Sequence, residues 1–299
     1  LKRWQIVLLS FATLILVVLG MYAIFGSDGK NEAFQPQEEF RLHPWISIHI
    51  GGVDMSINRA VLYLFLAAAL TCGTMIWVAR RMQQKPNKVQ TAIEVSYDLV
   101  ANNITRGNLS DPKLARRWFV FVATLFFFIW FSNMLGYIPL PTSHEKINIF
   151  GADIPALAIY AATANISIPL ALTLVVFFVY NVEGIRAKGF IGYLKSFVPA
   201  GVEGVARFPI FLIEVISNLV RIISLSVRLF ANILAGHLLI LFMAGGLVVL
   251  LGLAPLGVVT LLMAIPFFLF EIGLVATLQA FIFSTLTAIY IGGATAEEH

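Results

Sequence analysis

The chain has 299 residues, 59% of them hydrophobic and only 12% charged, with a formal net charge of +4 and a single cysteine. No water-soluble domain of ordinary make-up has this composition, and repeated apolar runs of about 20 residues or more indicate a polytopic helical membrane protein. The basic charge lies in loops between those runs, which argues against a nucleic-acid partner, and Cys72 alone excludes an intrachain disulfide or a cysteine-based metal cluster.

The first apolar run, about residues 6–25, follows Lys2 and Arg3. It is longer than the core of a signal peptide and no small-residue cleavage site closes it, so it reads as a retained span. Residues 26–56 are polar and acidic, carry Pro36 and Pro44, and read as a loop against the outer surface. Further spans are expected at about 60–79, 117–140 and 155–181, followed by two long segments at 207–247 and 248–291. Between the second and third spans, Val89, Ile93, Val100 and Ile104 recur at helical spacing, with Glu94, Asp98 and Asn102 among them. That pattern predicts a helix lying on the membrane surface. Asn108, Ser110, Asp111 and Pro112 should end it.

Placing the N-terminus inside puts fourteen Lys and Arg residues in inner segments and four in outer loops, and leaves Arg221 and Arg228 within a span. This is a clear positive-inside bias. The fold expected is an all-α membrane protein of about six membrane segments. Residues 1–56 form an N-terminal span and outer loop, and residues 57–299 the functional domain.

The last two segments are too long to stand upright. Phe208 to Leu247 spans 40 residues, about 60 Å of helix against about 30 Å of hydrocarbon, and therefore demands a tilt of roughly 60°. Gly245 and Gly246 are the expected turn of a long, steeply tilted hairpin, and Pro255 and Pro266 its expected bends.

Arg207, Glu214, Arg221 and Arg228 stand seven apart on the first of these helices, along one slowly drifting stripe. An ionisable group at membrane depth costs roughly 2.5–3.5 kcal/mol, so each needs a partner or water. Arg207 suits an interfacial anchor, and Glu214 with Arg221 a neutralising pair. Arg228 has no acid within two turns in sequence, and by default it marks an ion path. Ser224 and Asn232 stand one turn to either side of it.

On the last segment, Glu271 and Gln279 interrupt a Phe- and Leu-rich background. Antiparallel packing is expected to bring Glu271 near His237 and Gln279 near Arg228. A histidine and a glutamate at depth can pass protons, whereas a guanidinium holds its own. The combination describes a proton path interrupted by a charge barrier. His237 as a simple interhelical hydrogen-bonder and Gln279 as a structural bridge are the competing readings.

The run SLSVRLFANILAGH, from Ser224 to His237, resembles the signature of subunit a of rotary ATP synthases. LQAFIF, from Leu278 to Phe283, resembles that family's last helix, and FSNMLGYIP, from Phe131 to Pro139, the end of its third. With the spacing between these motifs, the resemblance covers about residues 40–299.

The resemblance implies a non-catalytic stator subunit, with no cofactor or metal, that holds a rotating ring of c subunits. Peripheral-stalk b subunits, the other subunits of the complex and membrane lipid would be its partners. The implied membrane is the bacterial plasma membrane or, alternatively, the mitochondrial inner membrane. Protons would enter by one half-channel, ride a ring carboxylate around, and leave by the other. Arg228 would be the essential arginine, with Glu214, Asn232, His237, Glu271 and Gln279 as channel-lining residues and Arg221 and Ser224 as a secondary polar stripe.

Two departures stand out. The fourth span carries Asn165, Ser167 and Pro169 where the family often has an acid. Glu271 precedes Gln279 by eight residues where seven is more usual, an offset of about 100° of helix rotation. A secondary transporter or ion-coupled channel is the alternative function, although no internal repeat of the kind such proteins carry is visible. No P-loop, G-x-S-x-G or H-E-x-x-H run suggests an enzyme.

Overall fold

The computed structural model describes residues 44–50, 53–54, 56–83, 85–109, 111–149, 152–198, 204–243 and 256–296, with Leu42 and a few positions between 4 and 20. The expected first span, most of the outer loop and the turn at Gly245 and Gly246 lie outside the described residues. The chain is an all-α membrane protein. Among the described residues, five helices are long and apolar enough to cross a membrane.

A two-residue hairpin, β1 (His49–Ile50) with β2 (Val53–Asp54), precedes the first of them. Helix α1 (Arg59–Arg81) starts where the Asn58 side chain accepts from the Val61 N–H, and ends with Arg80 and Arg81 in its last turn, where cations suit the helix dipole. The segment expected to be a surface helix comes next as α2 (Lys88–Asp98) and continues as a π-helix over Leu99–Arg106. Val100 and Ile104 are fully buried while Asn102 and Arg106 face outward, but Ile93 is only half-buried and Val89 is exposed, so the expected amphipathic pattern holds in the second half of the segment alone. The expected break also holds. Asp111 caps α3 (Pro112–Gly136), and Pro112 occupies the first turn, where a missing N–H breaks no bond.

One span boundary needs correction. The third-to-fourth connection is not helical from residue 155, because Leu140–Ile149 (β3) and Ala152–Ala158 (β4) pair antiparallel. Helix α4 starts only at Ser167 and runs to Lys188. A short apolar run such as Ala156–Tyr160 has no period that separates strand from helix, and Pro155 marks the difference only in hindsight. The third span likewise ends at Gly136, short of residue 140. There the backbone meets Ala161 so closely that any side chain at 136 would overlap it.

Gly189, with φ at +73°, turns the chain into the short helix α5 (Phe190–Lys195). Helix α6 (Arg207–Leu241) accepts Pro209 in its first turn. Helix α7 (Leu256–Phe270) contains Pro266, a π-helical stretch covers Glu271–Val275, and α8 (Ala276–Thr295) completes the described chain.

The chain divides into two compact units, Leu42–Leu234 with Leu274–His299, and Leu1–Arg41 with Ala235–Gly273. In the first, α3 is central and packs against α1, α8 and the surface helix. Leu225, Leu229 and Ile233 of α6 join Phe283 and Ile291 of α8 in the same buried cluster. Apolar side chains gain little by leaving lipid tails, so tight packing and buried polar bonds must hold these helices together. Gly184 illustrates the packing: the Tyr193 ring occupies the space that a side chain there would need.

Candidate functional site

Helix α6 presents two different faces to its surroundings. Leu225, Leu229 and Ile233, four residues apart, are buried. Ser224, Arg228 and Asn232, also four apart, are exposed, beside the exposed Ile223 and Val227. Among the described residues, Arg228 makes no hydrogen bond or ion pair. An unpaired guanidinium thus sits on an otherwise apolar helix face flanked by small polar side chains.

One heptad earlier the situation reverses. Arg221 Nη2 donates to Glu214 Oε1 at 3.3 Å, and its guanidinium lies 5.3 Å from the centre of the Tyr290 ring. This is the neutralising pair expected from the sequence. Beside it runs a polar chain that sequence reasoning missed. The Tyr180 hydroxyl donates to Asn218 Oδ1 at 2.6 Å, Asn218 Nδ2 donates to Asn181 Oδ1 at 3.3 Å, and the Tyr193 hydroxyl donates to the same oxygen at 2.8 Å. The only sequence signal was Asn218, one turn after Glu214 and just before Arg221. Its partners come from α4 and α5, which no local pattern reveals.

Tyr180, Tyr193, Glu214, Asn218 and Arg221 border a cavity of about 210 Å³ lined also by Lys188, Ser196 and the end of α8 at Gly293 and Ala294. Lys188 and Lys195 lie at this end of the bundle, the end that the positive-inside bias of the sequence predicts to face inward. A buried acid lies on α4: Glu183 accepts from Arg117 Nη1 of α3 at 2.9 Å, with Arg186 at 3.8 Å. Burial of Tyr193, on the short helix α5, raises its phenol above the usual range, and the Arg221 charge opposes that shift.

At the other end of α3, Asn133 is fully buried. It accepts from the Thr163 hydroxyl at 2.8 Å and donates to the Ala276 carbonyl at 3.3 Å. Trp130 Nε1 donates to Thr277 Oγ1 at 3.1 Å. Ser284 nearby in sequence on α8 is also fully buried, and its hydroxyl has no partner among the described residues. Gln279 is buried on α8. It is not hydrogen-bonded to Arg228.

In the second unit, His237 and Glu271 are both buried. The Glu271 carboxylate lies directly against Gly236, the residue before His237, so that any Cβ at 236 would overlap it. The glycine of the Ala235–Gly236 pair therefore makes room for the acid. Glu271 also opens the π-helical stretch to Val275. A π turn takes up one residue more than an α turn, so an eight-residue interval to Gln279 is seven α-helical steps plus one inserted residue. The 100° offset expected from counting assumed a regular α-helix, and the backbone here is not one.

The family model described as ATP synthase A chain matches residues 61–292. The chain is similar to proteins named ATP synthase subunit a from Brucella ovis, Brucella canis and Brucella suis. Each is 35% identical over 271 residues, covering 89% of this chain and 100% of the relative.

Proposed function

The chain belongs to the ATP synthase A chain family, and on that premise we propose that it carries protons across the membrane through two half-channels kept apart by Arg228. Membership makes it a multi-pass membrane-sector subunit, not the catalytic one, acting in proton translocation within a complex of ATP synthase subunits. The ring of c subunits and the peripheral-stalk b subunits are the partners proposed here, and the bacterial plasma membrane the location.

The observation that carries the reading is the bare face of α6. An arginine that meets no acceptor among the described residues of its own chain, in a setting where charge is costly, calls for an acceptor from outside. A carboxylate on a passing helix would supply it. The small neighbours Ser224 and Asn232 permit a close approach, and the guanidinium would keep that carboxylate ionised while it passes. The same fixed charge repels a free proton and so blocks a direct leak.

We assign the inner half-channel to the cavity beside Glu214 and Arg221, with Asn218 and Tyr180 as its hydrogen-bonding wall. His237 and Glu271 are assigned to the outer half-channel, where a carboxylate and an imidazole pass the proton between them. The 35 residues of α6 make about 52 Å of helix, and crossing about 30 Å of hydrocarbon then needs a tilt of roughly 55°. Such a helix can run along the side of a ring over several of its subunits. Cysteines at 214, 221 and 228 should therefore crosslink to successive ring subunits, each heptad stepping sideways along the ring by about 9 Å and in depth by about 6 Å.

The deciding experiment is Arg228→Ala in the reconstituted complex. Gradient-driven ATP synthesis should be lost while assembly persists, and Arg228→Lys should fail as well, because a compact ammonium lacks the planar fork and loses its proton more readily when desolvated. Near-normal synthesis in either variant would remove Arg228 from the mechanism.

A further inference from the structure

We propose that the angle between the surface helix and α3 binds one anionic phospholipid of the inner leaflet. Here the chain turns from lying on the membrane to crossing it. The bend encloses a cavity of about 220 Å³ lined by Tyr97, Ala101, Arg106, Arg116 and Phe119 among others.

The walls divide by chemistry. Tyr97 and Phe119 meet edge to face with ring centres 4.9 Å apart. The alanines at 101 and 115 leave a slot beside them, and Ala115 is itself buried. Two guanidinium groups complete the lining. Arg106 gives one donor to Asn102 Oδ1 at 2.8 Å and keeps the rest of its fork. Arg116 makes no hydrogen bond or ion pair among the described residues.

The local charges leave these two cations available. Arg117, next in sequence, is taken by Glu183. Of the nearby acids, Glu94 accepts from Gln90, Asp98 from Asn102, and Asp111 from the Lys113 N–H that it caps. A phosphate carrying negative charge fits the pair of planar forks. Aromatic and alanine walls suit a hydrocarbon chain and offer a free phosphate nothing. A basic pocket at the inner end of membrane helices, with an apolar slot below it, is what an acidic lipid headgroup and its acyl chain require together.

The test uses the intact complex in vesicles that contain a photoactivatable phosphatidylglycerol or the matching phosphatidylcholine. Phosphatidylglycerol should label the peptides around Tyr97, Ala101 and Phe119, and phosphatidylcholine should label them far less. Excess inorganic phosphate should not compete. In the Arg106→Gln, Arg116→Gln double variant, labelling should fall about tenfold or more, given the attraction that each basic side chain adds at an anionic surface. Lys113→Gln, outside the slot, should leave it unchanged. Equal labelling by the two lipids in the wild-type complex overturns the proposal whether or not the double variant assembles. Displacement by inorganic phosphate, which would mark a simple anion site, overturns it too, as does undiminished labelling of an assembled double variant.

Discussion

The Glu271 carboxylate rests on the bare backbone of Gly236, one residue before His237. No titratable group is changed by filling that space, so the geometry can be tested separately from the chemistry. Gly236→Ala should displace Glu271, with an overpacking cost of about 1–3 kcal/mol, and should slow passive proton flux through the membrane sector. Unchanged flux would separate the position of Glu271 from proton passage.

If His237 and Glu271 work as one unit, replacing either by an apolar residue should slow flux, and exchanging the two should restore part of it. The coupling expected between groups acting together is about 0.5–3 kcal/mol. A swapped double variant no faster than the slower single variant would argue that each acts alone.

The π-helical stretch Glu271–Val275 makes its own prediction. Deleting Gly273 should let this stretch close into a regular α-helix and keep the helical register between Glu271 and Gln279, because the residue removed is the inserted one. Proton flux should then be largely kept. Inserting one alanine after Gly273 in the natural sequence should instead add about 100° of rotation and slow flux. Loss of flux on deletion would mean that the π turn itself, rather than the register, was needed.

Arg117→Ala leaves the buried Glu183 with only the more distant Arg186. Loss of a charge-assisted bond of this kind costs about 1.5–3 kcal/mol, readable as a lower thermal midpoint of the detergent-solubilised chain. Glu183→Gln in that background should recover part of the loss, because no unpaired charge remains buried. An unshifted midpoint in the single variant would show that Arg186 or solvent suffices.

Tyr160 lies in the connection before α4. Burial pushes its phenol up to about 12, while the Arg59 guanidinium, 4.4 Å from its ring centre, pulls the other way. The folded form thus holds the phenolic proton more tightly than the unfolded chain, whose tyrosine ionises near 10. The resulting stability is complete below about pH 10 and falls as pH rises toward about 12. Tyr160→Phe should flatten that fall in an alkaline unfolding series. An identical slope in both proteins would indicate that the phenol stays protonated or solvated in both states.

Much of the functional helix was legible because one chain segment carried both periodicities. Arg228, Ser224 and Asn232 share a face by counting alone, as do Glu214 and Arg221. The polar chain through Tyr180, Asn181 and Tyr193 was not, because it joins three helices and no single one repeats the signal. Gly236 was hidden for a different reason: the function of a missing side chain appears only when its neighbour is in place. At residues 155–166, short apolar runs were read as the start of a span, and only strand pairing with Leu140–Ile149 revealed the hairpin. Between Glu271 and Gln279 the spacing was visible, but the backbone form that absorbs the extra residue was not.

The exposed arginine on α6 also bears on biogenesis. A newly inserted chain without its partners would present that guanidinium to acyl tails, at a cost of roughly 2.5–3.5 kcal/mol, and nothing in its own described fold relieves it. The lone chain should therefore be a short-lived membrane species, cleared by quality-control proteases unless the ring proposed above as its partner is already waiting. Pulse-chase labelling in cells lacking ring subunits should find rapid turnover of this chain, and Arg228→Ala should outlast the natural sequence there even though it fails once assembled.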